Sequence, residues 1–176
     1  MTGSPPFARA LDLQAPAGDP VRGRPHVVLV VGRSEPRPPA LHDAVWLGRH
    51  LRAEMLVVAA VEYRPPQDEL VAARVEWIRD VVSSTAEHLV GEGVAAAGTV
   101  LVVRDGLGPA VIDDFAEEHE ADLIAVTPQR SSRFWVFGGS GMAHHLARAG
   151  RRPVVVIPDH GPGLGARLRS RLGEQN

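Results

Sequence analysis

Val100-Leu101-Val102-Val103-Arg104-Asp105-Gly106-Leu107-Gly108-Pro109-Ala110-Val111-Ile112-Asp113-Asp114-Phe115-Ala116, closed by Asp122-Leu123-Ile124-Ala125-Val126-Thr127, contains two apolar runs with a helical segment between them. Short apolar runs rich in Val and Ile, without polar alternation, are the pattern of strands covered on both faces. Pro109 suits the opening turn of a helix, and Val111, Ile112, Phe115 and Ala116 recur on one helical face. The stretch therefore predicts strand, helix, strand, and two parallel strands need a crossover of this kind.

The same alternation continues in both directions. Upstream, His26 to Val31 predicts a central strand, and Ala40, Leu41, Ala44, Val45, Leu47, Gly48 and Leu51 fall at helical spacing after Pro38 and Pro39. Met55 to Val61 predicts another strand. A long helix follows, with Val71, Val75, Ile78, Val82, Ala86 and Leu89 separated by four, three, four, four and three residues. Gly91 and Gly93 end it. Downstream, a polar, aromatic and Gly-containing loop from Pro128 to Gly141 precedes a helix through Met142, Leu146 and Ala147 and a last strand at Pro153 to Ile157. The fold class predicted is α/β: a single-domain, open, five-stranded parallel sheet with helices on both faces, since right-handed crossovers permit little else.

At 176 residues the chain has room for one core with tails. Residues 1–24 hold Pro5, Pro6, Pro16, Gly18, Pro20 and Gly23 among polar residues and predict a disordered arm, leaving 25–158 as the folded domain. Residues 159–176, with Gly161, Pro162, Gly163 and Gly165 before Arg167, Arg169 and Arg171, predict a flexible basic tail. That tail is read as solvated, with contact to an acidic partner or a membrane surface as its alternative.

Composition excludes several chemistries. There is no Cys, hence no disulfide or thiolate site, and all 19 basic residues are Arg, hence no Schiff-base or P-loop Lys. A net charge of −2 gives no global attraction to nucleic acid. No apolar run approaches the ~20 residues of a membrane helix, and the opening residues lack the apolar centre of a secretory signal, so a cytoplasmic location is expected.

In an open parallel sheet, ligands bind beyond the carboxyl ends of the strands, where the strand order reverses. Gly32 to Glu35, Arg104 to Gly108 and Thr127 to Gly141 converge there. Gly106-Leu107-Gly108-Pro109-Ala110 with Ile112 and Ala116, then Ala121 to Val126, resembles the "G-x-P-A-x-x-I … A-D-L-I-V-V-G" stretch of universal stress proteins. Gly139-Ser140 before His144, His145, Leu146 and Ala147, then Arg152 to Ile157, is similar to that family's close. The resemblance covers about residues 25–158. It implies strand order 3-2-1-4-5, a Rossmann-like sheet, an ATP or other adenine-nucleotide site, and a homodimer through the last strand, with Val154, Val155, Val156 and Ile157 as contacts.

Nucleotide-binding members carry G-x2-G-x9-G-S/T after the fourth strand, where glycines let the backbone approach phosphates at a helix N-terminus. Aligned without gaps, those positions here are Thr127, Arg130, Ser140 and Gly141; a one-residue shift recovers Gly139-Ser140 but leaves Thr127 and Gln129 or Arg130 in place of the first two glycines. Where the family commonly places an Asp after the first strand, this chain has Gly32. The expected site is thus altered or weakened, drawn from Gly32, Ser34, Val126, Thr127, Arg130, Arg133, Gly138, Gly139, Ser140 and Gly141. Arg130 and Arg133 suit phosphate through their forked donors, or are solvated loop charges. The Gly138 to Gly141 turn is an anion cradle or a plain turn. Phe134, Trp135 and Phe137 form a partner surface or close the core.

Other constellations are set aside. A receiver domain needs a Lys. Asp113, Asp114, Glu117 and Glu118 read as a solvated acidic face. Adjacent His144 and His145 have no ligand spacing, so no metal is expected. Ser34, Ser131 and Ser132 lack the G-x-S-x-G elbow, and Arg130-Ser131-Ser132-Arg133 is a weak phosphorylation pattern. The expectation is a stress-response regulator that binds rather than catalyses. The alternatives are a dimeric interaction module without nucleotide and a slow ATP hydrolase.

Overall fold

The computed structural model describes residues 9–13, 23–63, 68–127, 139–149, 151–158 and 163–166. Six strands form one sheet: β1 (Arg9–Leu13), β2 (His26–Val30), β3 (Glu54–Tyr63), β4 (Ala95–Arg104), β5 (Leu123–Val126) and β6 (Val154–Val156), in the order β1-β4-β3-β2-β5-β6. From β4 across to β6 all pairs are parallel, which gives the five strands the expected order.

β1 corrects part of the sequence reading, because it lies in the stretch expected to be a disordered arm. It runs antiparallel to β4, with Arg9 opposite Val102 and Leu13 opposite Gly98. A five-stranded sheet would leave the outer edge of β4 with a row of unpaired amide and carbonyl groups, and the short β1 segment satisfies them.

The helices are α1 (Pro38–Leu51), α2 (Asp68–Gly91), α3 (Gly108–Glu118) and α4 (Gly139–Ala149). Strand pleating sorts the core into two layers. Val27 and Leu29 of β2 pack with Val57 of β3 and with Ala44, Leu47, Ile78 and Val82 of α1 and α2. Val28 and Val30 pack on the other side with Val58, Leu101, Ile112, Phe115 and Leu146, under α3 and α4.

α1 opens with prolines at its first positions and closes at Arg52, whose φ of 52° reverses the chain while the Ala53 amide donates to Gly48 O at 2.9 Å. Gly48 is where α1 comes nearest its neighbours. A Cβ there would lie 2.6 Å from Val94 Cγ1 and 2.9 Å from Met55 S.

The tail expected from 159 onward is also partly corrected. Leu164 is buried in the α1 layer, and its amide donates to Oδ2 of the buried Asp43 at 2.8 Å. Gly163 and Gly165 allow this approach: a Cβ would fall 2.6 Å from Asp43 Oδ1 at the first and 3.0 Å from the Trp46 ring at the second. Residues 163–166 thus form a strap fastened to α1.

Asp113, read as part of a solvated acidic face, is 5% exposed. It faces Arg151, which also reaches Asp114 and Glu117. No helix among the described residues is long and apolar enough to cross a membrane.

Candidate functional site at the strand switch

The register sets the shape of the site. β2 ends at Val30, paired with Val58 and Val126, whereas β3 and β4 continue side by side from Ala59–Val100 to Tyr63–Arg104. At about 3.3 Å per residue the five extra residues of β3 rise roughly 16 Å above the ends of β2 and β5. They make a wall beside the point where the strand order reverses.

Gly32, Val126 and Thr127 come together at the foot of this wall, all buried. The Val31 amide donates to Val58 O at 2.8 Å and the Ile157 amide to Val126 O at 2.9 Å, so β2, β3, β5 and β6 are tied together at one level. Thr127 is 5% exposed, and both its amide (3.0 Å) and its hydroxyl (3.1 Å) donate to Val30 O. A β-branched side chain therefore fills the seam between β5 and β2 where the resemblance places the first motif glycine.

Ser34 is exposed on the loop after β2. That loop is held from a residue that sequence reasoning missed: Trp77 of α2, itself 64% exposed, donates its indole N–H to Arg33 O at 2.7 Å. Its position outside the apolar spacing of α2 was the available signal.

The top of the wall is tied to α3 through another missed residue, Glu62. The Gly108 amide donates to Glu62 Oε1 at 3.2 Å, and a Cβ on Gly108 would lie 2.7 Å from that oxygen and 3.6 Å from Met142 Cε. Gly106 turns the preceding loop with φ 81°, and the Leu107 amide closes it on Arg104 O at 3.0 Å. Glu62 thus supplies the anion at the α3 N-terminus.

Gly139, Ser140 and Gly141 form the first turn of α4, whose amide groups have no partner within the helix by construction. Arg130, Arg133 and Gly138, together with Phe134, Trp135, Phe137 and Ser131-Ser132, lie outside the described residues. Of the expected dimer contacts, Val154 and Val155 are half-buried and Val156 is 46% exposed on the sheet edge; Ile157 is fully buried in the core. Among the described residues no group of three or more His, Asp or Glu is arranged to hold a metal ion.

The family model described as the universal stress protein family matches residues 23–158. No curated protein matches the chain. Among solved structures, a universal stress protein family member from Burkholderia pseudomallei superposes with a TM-score of 0.60 at 24% identity, covering 79% of this chain and 99% of that one. The universal stress protein of Archaeoglobus fulgidus in complex with dAMP gives 0.56 at 23% identity, covering 76% and 97%. A family member from Arabidopsis thaliana with AMP bound gives 0.50 at 14% identity, covering 76% and 90%.

Proposed function

This chain belongs to the universal stress protein family, and we propose that it is a stress-response regulator that acts by binding, through an adenine-nucleotide site modified at the strand switch. The observation that carries this reading is Thr127. Relatives have been solved with dAMP and AMP, and the seam beside which such a ligand would sit is here filled by a buried Thr side chain whose hydroxyl is hydrogen-bonded to Val30 O. With Gly32 rather than a carboxylate after β2, the backbone of the first α4 turn and the arginines of the preceding loop are left to grip phosphate.

Binding without turnover is part of the proposal, and the use of Glu62 supports it. Glu62 is committed to the Gly108 amide, and hydrolysis would need a metal or a base placed at the γ-phosphate. The protein is proposed to be cytoplasmic and dimeric through the free side of β6, where Val156 is exposed.

The test is to denature freshly purified protein, identify released nucleotide by mass spectrometry, and titrate ATP calorimetrically. Stoichiometric nucleotide or micromolar binding supports the modified site. Silence at millimolar ATP supports the second reading that Thr127 favours, a dimeric interaction module without nucleotide. Phosphate release lost in Gly139→Val and Ser140→Ala variants would instead establish a slow hydrolase.

A further inference from the structure

We infer that the protein carries a second ligand site, on the α1–α2 face, for a small molecule with a flat apolar body and an anionic head. Pro38, Leu41, His42, Val45, Trp46, Arg49 and His50 recur at helical spacing along one stripe of α1. With His88 from the last turn of α2 and Glu92 just beyond it they line a groove of about 650 Å³, inside the ~300–1,000 Å³ of typical small-molecule sites. From Pro38 the groove runs along α1 to the end of α2, and it shares no lining residue with the strand-switch site.

Its aromatic wall is held in place. The Trp46 indole stacks on His50, with ring centroids 4.7 Å apart and planes 12° apart. Gly165 of the strap also lies against the indole, where a Cβ would fall 3.0 Å from Trp46 Cε2 and the ring would have to give way. A Trp held by these two contacts offers a preformed surface for a planar apolar group, so little ordering cost is left for the ligand to meet. Leu41 and Val45 supply the rest of the apolar lining.

The rim decides the sign of the head group. Its one carboxylate, Glu92, is paired with Arg49 at 2.9 Å, and the Glu92 carbonyl accepts from Arg49 Nε at 2.9 Å. Arg49 retains unused N–H groups, since a guanidinium has five. None of the rings of His42, His50 and His88 makes a hydrogen bond among the described residues. Each neutral imidazole offers one donor and one acceptor, so the excess of donors at the rim comes from Arg49, and the group that complements its remaining N–H groups is an acceptor-bearing anion such as a carboxylate.

The test uses full-length protein and two probes of one shape, naphthoate and its uncharged counterpart naphthalenemethanol. Calorimetric titration should show saturable naphthoate binding, at least about tenfold tighter than the alcohol, and the indole N–H signal of Trp46 in NMR should shift on addition. Leu41→Glu, at a half-exposed position, puts a carboxylate into the groove without touching the core and should abolish naphthoate binding with the melting temperature retained. His88→Ala should weaken naphthoate but not the alcohol. No saturable binding, equal affinity for both probes, or naphthoate binding that survives Leu41→Glu with the Trp46 signal unmoved would overturn the assignment.

Discussion

The Thr127 hydroxyl donates to Val30 O at 3.1 Å, beside the 3.0 Å bond from its own amide to the same oxygen. One carbonyl thus receives two donors and fastens the end of β5 to the end of β2. Thr127→Val keeps the shape and the amide bond and leaves no acceptor orphaned, so the expected loss in thermal or urea unfolding is small, about 0.5 kcal/mol. Thr127→Gly also empties the seam. It should cost more stability but tighten ATP binding severalfold by calorimetry; an unchanged or weaker affinity would mean that the Thr does not limit the nucleotide site.

Gly48 lies where α1 meets Val94 and Met55, and an added Cβ would have to displace both at 2.6 and 2.9 Å. Gly48→Ala raises helix propensity, which alone would stabilise. Overpacking of a buried contact costs about 1–3 kcal/mol and should outweigh it. Urea denaturation should show a lower midpoint with an unchanged slope.

The parts of the fold legible in sequence are those whose physics is local. β2 and β5 are covered on both faces, so Val27 to Val31 and Leu123 to Val126 stand out as unbroken apolar runs. β4 was legible only from Val100 to Val103, because Ala95-Ala96-Ala97-Gly98-Thr99 carries weak strand propensity and is held extended by its pairing with β3. β1 was hidden for the same reason: what makes Arg9–Leu13 a strand is the open edge of β4, whose Gly98–Val102 is distant in sequence, and not its own composition. At the site, glycine and Thr substitutions could be read from motif spacing. The wall formed by the β3–β4 overhang, the Glu62 cap on α3 and the Trp77 tie to Arg33 depend on register and on helix placement, which spacing does not encode.

Asp113 is buried beside a half-exposed Arg151, with Nε–Oδ2 at 3.4 Å, and its other oxygen has no partner among the described residues. Removing Arg151 takes the nearest positive charge from a desolvated carboxylate, so Arg151→Ala should destabilise by about 1–2 kcal/mol, discounted for the exposure of the guanidinium. Asp113→Asn removes the charge in need of a partner. The double variant should therefore lose less than the sum of the two singles in a urea-unfolding cycle; strict additivity would show that the pair is not coupled.

The strap rests on an acceptor rather than on a charge. Leu164 is 6% exposed and its amide donates to Asp43 Oδ2 at 2.8 Å, with Asp43 only 3% exposed. Asp43→Ala would leave that N–H buried without a partner, at a cost of about 1–3 kcal/mol. Asp43→Asn keeps a carbonyl oxygen at nearly the same point and should lose far less. Gly163→Ala should match Asp43→Ala, because its Cβ would sit 2.6 Å from Asp43 Oδ1 and push the strap off α1. Chemical denaturation of the three variants separates the cases: if Asp43→Asn falls as far as Asp43→Ala, the carboxylate charge, and not the hydrogen bond to Leu164, is what holds residues 163–166 against the helix.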